Sequence, residues 1–531
     1  MTGTKCIRIS QDFETSPATE LFSVLEWIFG IGFIIDARNS GYIAGHIIIG
    51  GDGKGNSAAD SGNTPSLCVP PTASTGQTWA EVEFSDDLEV PFPYRGRRVS
   101  IKRVEVGSVL TLRPGEKILA STRLGPIWTV STIGLTKHFR SALPLPSISA
   151  EQSFCDVFNG ERFLEMLVLL HFLREAGIGE LYRNPILRAG FIIDDPNLHW
   201  HSYGFVDYRE IVAHAIRDNY HVSFATIPLD TWFTHAPTAD LFRRNAHWLS
   251  LLIHGNNHTK RELTRNYTGA TRRALLRQAI RRIERLEQRA NLRVCRIMVP
   301  PHGACSEAML AELVRCGFEA AYISAGSLRA HNLGKQWTKT LGFFPAEMIA
   351  GCPVLPRWGL TGNVKNTLLT AAYLGQPMVL RGHHQDFKDG VEVFDEYARF
   401  INSLGNVYWS NMSDLSRLSY LWRIDGDSCR IKPLGRNLVL KLPEEAKNII
   451  IEPIAETHRF SDWQAVFGDG SVHRIRADEP FSLQASISNG ISIKCSASPP
   501  PEPDTKSDYP VRPSLLLRRL LTEARDRLLI A

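Results

Sequence analysis

Residues 190–200 read GFIIDDPNLHW, and their reading decides the fold. Phe191, Ile192 and Ile193 are apolar β-formers, and Pro196 stops the run within a few residues. The stretch is therefore a short buried strand with two adjacent carboxylates, Asp194 and Asp195, at its carboxyl end. Parallel α/β folds place their chemistry at such ends. An aspartate turn capping a following helix would look the same locally, since Asp favours both positions. The surrounding sequence has to separate the two readings.

From about residue 185 to 420 strand-like runs alternate with amphipathic helices. The runs are LRAGFIID, YHVSFATIPL, WLSLLIHG, RVCRIMVPP, EAAYIS, PMVLRGHH and NVYWSNM. Repeated βα units imply a parallel sheet or a closed barrel, and some seven strands favour the barrel. Within the long helix ATRRALLRQAIRRIERLEQRA, Leu275, Leu276, Ala279, Ile280, Ile283 and Leu286 form a core stripe. Its arginines alternate with Glu284 and Glu287, which reads as a solvated face and not a nucleic-acid site.

The flanks differ. Residues 1–150 mix a helix with short strands in an N-terminal α/β domain, and 151–184 form a connecting helix in which His171 reads as a core histidine. The glycine-rich stretch at 50–66 lacks the Gly-Lys-Ser/Thr ending of a phosphate loop, because Gly55 follows Lys54, and is expected to be a surface loop. Residues 421–497 suggest a small antiparallel β module. Residues 498–531 give a proline-rich linker and an amphipathic terminal helix expected to dock on the body in a supporting, non-catalytic role.

Composition bounds the rest. The chain has 531 residues, 43% of them hydrophobic and 22% charged, with a formal charge of +5, which implies a multidomain globular protein with no strong polyanion signature. No apolar run is long enough to span a membrane, no signal peptide is legible, and nine cysteines lie scattered singly. These features predict a cytoplasmic protein.

Chemistry concentrates at the strand ends. HGNNH, His254 to His258, follows WLSLLI. Histidines at i and i+4 share a helical face and can reach one metal ion, zinc by preference, with a carboxylate as third ligand. VPPHG, residues 299–303, ends another strand, and His383 and His384 in LRGHH end a further one. A barrel brings all of these to one mouth, where they can hold a metal, take a proton from water and give one to a leaving group.

These motifs resemble the polysaccharide deacetylase family (NodB homology, carbohydrate esterase family 4) over residues 185–420. The resemblance implies a distorted (β/α)7 barrel, an acetylated glycan as substrate and a divalent metal, most simply Zn2+. It implies Asp194 as general base, Asp195, His254 and His258 as metal ligands, and His383 or His384 as the acid serving the departing amine. Gly255 stands where the family has Ser or Thr. The family's third motif, Arg-x-Pro-Tyr-Gly, keeps Pro301 and Gly303, but Val299 replaces its arginine and His302 its aromatic. Arg357 and Arg381 are the candidates to orient the base instead. His199, Trp200, His201, Pro301, His302, Gly303 and Trp358 are candidate substrate-binding residues. The implied reaction is removal of an acetyl group, N-linked before O-linked. The alternatives are an inert glycan-binding or assembly protein and an amidase acting on a small amide.

Overall fold

The computed structural model describes residues 5–11, 19–35, 42–50, 64–71, 74–105, 109–177, 182–184, 186–441, 448–453, 462–466, 471–476, 481–484, 491–496, 509–510 and 513–528. The glycine-rich loop at 51–63 and the proline-rich linker at 497–508 lie outside them. The chain forms two compact units. Among the described residues no helix is long and apolar enough to cross a membrane.

The first unit comprises residues 1–182, 337–343 and 365–373. It is built on a nine-stranded sheet that is parallel from Gly32–Ile35 to Thr136–Ser141 and antiparallel from there to Arg98–Glu105. The apolar helix Leu164–Ala176 buries ten consecutive residues, Leu164 to Leu173, and belongs to this unit. His171 lies edge-on to Trp128 and Phe139, at 5.4 Å from each ring, and burial pushes its imidazole down to about 3. It is a neutral core histidine.

The second unit carries the parallel sheet. Its strands are β1 (Arg188–Asp194), β2 (Val222–Thr226), β3 (Leu249–Ile253), β4 (Val294–Met298), β5 (Ala320–Tyr322), β6 (Cys352–Leu355), β7 (Trp358–Gly359) and β8 (Met378–Gly382). All seven residues of β1 and all five of β2 are buried, as expected for strands covered on both faces. The order across the sheet is β6-β5-β4-β3-β2-β1-β8-β7, with the edge strand Glu347–Ile349 antiparallel to β6.

This is the cyclic order of a barrel with one seam. Among the described residues no ladder joins β6 to β7, although only Pro356 and Arg357 separate them. Pro356 has no N–H to give a ladder, and Arg357 turns into the interior, where it is 2% exposed. The result is a curled, open barrel rather than the closed one the alternation suggested. Sequence reading missed β6 and β7 because they are four and two residues long and interrupted by proline. It also gave full weight to NVYWSNM, which contributes only Tyr408–Trp409 against the start of β1.

Beyond residue 420 are two four-stranded sheets. They are antiparallel except where Ser428–Pro433 pairs in parallel with Asn448–Ile451. The expected module of purely antiparallel strands is therefore mixed.

Candidate metal centre

The two aspartates are neighbours in sequence but not in conformation. Asp194 is the last extended residue of β1, whereas Asp195 has φ +83°, a left-handed backbone that turns its carboxylate away from its neighbour's direction. Asp194 is 2% exposed, and both its carboxylate oxygens accept from one guanidinium nitrogen: Arg357 Nη1 donates to Oδ1 and Oδ2 at 2.9 Å each. Burial pushes the Asp194 carboxyl up. The guanidinium of Arg357, with His254 and His383 nearby, outweighs it and holds the group below the ordinary carboxylate range.

Asp195, His254 and His258 come together with their ligand atoms within 4.8 Å of one another. Asp195 Oδ1 stands 3.4 Å from His254 Nε2 and 3.1 Å from His258 Nε2. An ion with bonds of about 2.1 Å in tetrahedral geometry needs its ligand atoms about 3.4 Å apart, so the spacing fits zinc or an ion of similar size. Asp195 Oδ1 is buried without an aligned hydrogen bond, an arrangement that costs free energy unless a cation meets it. His254 Nδ1 donates to the Val299 carbonyl at 2.8 Å, and since that carbonyl only accepts, the proton sits on Nδ1 and the Nε2 lone pair is left for a metal. The residues present fit a divalent ion.

The histidine pair is not on a helix. Residues 254–258 form a loop in which Gly255 has φ +66° and His258 φ +52°. Glu262, 1% exposed, organises it: the N–H groups of Asn256, Asn257 and His258 donate to its carboxylate at 2.7, 3.1 and 3.2 Å. Gly255 is required here, because a Cβ would lie 2.3 Å from Glu262 Oε1 and 2.7 Å from Pro301 Cγ. From the long helix Gly269–Ala290, Arg282 Nη1 holds the Asn256 and Asn257 side-chain oxygens at 2.6 and 2.8 Å. The i, i+4 spacing singled out the two histidines, but the loop and not a helical face brings them together. Glu262 and Arg282 were missed; a buried carboxylate four residues past the motif was the available signal.

The other candidates separate clearly. His383 is half-buried and lies near enough to Asp194 to act on its charge. His384 is buried against Tyr203 and Phe205, with ring centroids at 5.5 and 6.0 Å. His302, at φ +57°, is exposed with its ring 5.1 Å from that of His258, while Pro301 and Gly303 are buried beneath it. Trp200 is 51% exposed, His201 has its Nε2 4.0 Å from Asp207, and Trp358 is half-buried on β7. His199 is buried and uses both ring nitrogens, Nδ1 on Glu523 at 2.9 Å and Nε2 on the Asp230 carbonyl at 2.8 Å. Arg381 is half-buried on β8, and the guanidinium that pairs with Asp194 is that of Arg357.

No family model and no curated protein matches this chain. Among solved structures it is similar to the carbohydrate deacetylase Agd3 at 11% identity and a TM-score of 0.49, over 92% of this chain and 99% of that one. It is also similar to a polysaccharide deacetylase from Mycobacterium smegmatis (14% identity, TM-score 0.32, 44% of this chain and 89% of that one). A third is a family 4 carbohydrate esterase from Streptomyces lividans in complex with acetate (10%, TM-score 0.25, 41% and 86%).

Proposed function

We propose that this chain is a metal-dependent hydrolase that removes acetyl groups, N-linked first, from a carbohydrate during polysaccharide synthesis or modification. The observation that carries the reading is the buried Asp195 Oδ1 facing two imidazole Nε2 atoms, with a separate, arginine-held carboxylate next to it. Asp195, His254 and His258 would hold a divalent ion, which would supply positive charge to polarise an acyl carbonyl and acidify a nearby water. Zinc is the first choice for two histidine nitrogens and one carboxylate oxygen.

The chain's own groups do the remainder. Asp194, kept ionised by Arg357, accepts the proton of the attacking water. Arg357 limits the directions that carboxylate can take, which is the task the family gives to its motif-three arginine. His383, half-buried and close enough to Asp194 to act on its charge, donates to the departing amine; His384 is committed to packing against Tyr203 and Phe205. His302 and Trp200, exposed at strand-end loops, are the candidate sugar contacts. The absent motif arginine is the argument for an inert glycan-binding barrel, and the Arg357–Asp194 pair weighs against that reading.

The test is acetate release from N-acetylated oligosaccharides with metal content measured on the same samples. Asp194→Asn should retain metal and lose about 10²-fold or more in rate. Asp195→Asn should lose the metal itself. A fully active Asp194→Asn, or exchanged phenotypes, would refute the assignment.

A further inference from the structure

The C-terminal helix, Pro513–Leu528, is amphipathic with its faces reversed. Leu516, Leu517, Leu520 and Leu521 are 43–61% exposed, whereas Arg519 is buried. A helix docked by apolar burial turns its leucines inward. This one turns Arg519 and Glu523 inward and lays the exposed Arg518 along the surface. Arg519 Nε reaches both oxygens of Asp230 at 3.1 Å, and its Nη2 reaches Oδ2 at 2.5 Å. Arg518 Nη2 donates to the carbonyl of His258 at 2.5 Å, and Glu523 meets His199 Nδ1 at 2.9 Å. Just before the helix, Tyr509 shares a hydrogen bond with Tyr267 at 2.7 Å, and its carbonyl accepts from Gln278 at 2.7 Å.

These contacts converge on one place. Asp230 lies in the loop after β2, whose Leu229 N–H donates to the Asn256 carbonyl at 2.9 Å. Gln278 also accepts from Asn256 Nδ2 at 2.9 Å, and His258 is itself one of the three clustered ligands. The helix therefore grips the loop that carries two metal-ligand histidines, about 260 residues upstream. His258 occupies a left-handed conformation unusual for a non-glycine residue, and such a conformation persists only where its surroundings hold it.

We propose that Arg518 and Arg519 are positioning residues for the metal centre, and that the C-terminal helix is a polar strap that holds the His254–Glu262 loop in its ligating conformation. This rests on the metal-site reading above. It goes beyond the supporting, non-catalytic role expected from sequence, because it ties the helix to the metal centre. Without Arg518 the His258 carbonyl turns to water. Without Arg519 the buried Asp230 loses its cation and its loop loses its tie. Either change frees the ligand loop to relax, and the consequence falls on metal affinity, as it does when groups behind a ligand are removed.

Full-length variants test this with zinc alone as probe, using chelator competition for affinity and amide hydrogen exchange at 254–262 on metal-free protein. Arg518→Ala should raise exchange in that loop and weaken zinc about tenfold. Arg518→Lys, which keeps a charged donor, should recover most of the affinity. Asp230→Asn/Arg519→Gln, which leaves no buried unpaired charge and so favours folding, should also loosen the loop. Leu516→Ser/Leu520→Ser, on the outer face, should change neither measurement. Unaltered exchange and affinity in both the Arg518→Ala and the paired variant would overturn the proposal, as would an equal loss in the leucine variant. If the wild type takes up no zinc, the metal reading fails, and the exchange comparison decides the strap by itself.

Discussion

Replacing Arg357 with Met leaves a buried carboxylate without its cation, and the cost can be worked out. Asp194 and Arg357 are each 2% exposed, so solvent screens the pair little. Asp194 must then either stay charged and unpaired or take up a proton. The second route costs the free energy of protonating a carboxyl whose ordinary value is 3.8. At 1.36 kcal/mol per pH unit this is about 4 kcal/mol at pH 7 and about 2 kcal/mol at pH 5. The first route costs about 3–5 kcal/mol, the usual penalty for breaking a buried ion pair. The cheaper route sets the observed loss, so about 4 kcal/mol is a ceiling at pH 7 and the penalty should shrink by about half at pH 5.

The sign agrees with the wild-type arrangement. A carboxyl held low in the folded state contributes stability above its unfolded value, and that contribution goes only as pH falls through the lower folded value. The wild type therefore keeps the pair across pH 5–7 while the variant does not need it at the lower end. Denaturant unfolding at both pH values, followed by Trp fluorescence, measures the difference. Asp194→Asn/Arg357→Met should recover much of the loss, since neither charge remains. Equal penalties at pH 5 and pH 7, or no penalty at either, would refute the reasoning.

Two further outcomes follow from the ligand loop. Gly255→Ser, although it installs the residue type the family carries, should weaken metal binding and destabilise the loop. Its Cβ meets Glu262 and Pro301, and its left-handed φ costs about 1–2 kcal/mol in an L-residue; a variant with unchanged metal affinity by titration calorimetry would contradict this. Metal affinity should also fall with pH. Burial pushes the His254 imidazole down, but Asp195 and Asp194 together raise it above 6.5, so protons compete with the ion as pH drops through that raised value. Competition titrations from pH 8 to 5.5 should show about a tenfold loss per unit for each proton displaced, and a flat profile would count against His254 as a ligand.

Much of the candidate site was legible in the sequence alone. An apolar strand ending in two carboxylates, a His-x3-His run after another strand and a histidine pair after a third are local patterns, and chain connectivity forces strand ends of one parallel sheet to a common side. What local pattern could not supply was whatever depends on groups far apart in sequence. Arg357 reaches Asp194 across 163 residues, from a seam between strands too short to recognise. Glu262 and Arg282 build the histidine loop that helical periodicity had explained differently. Arg518 returns from the far end of the chain to the same loop, and Arg519 to Asp230 in the neighbouring loop after β2. For Glu262, Arg357 and Arg519 the deciding event is the burial of a charge, and the partner a buried charge needs is chosen by proximity in space, which the order of residues along the chain does not encode.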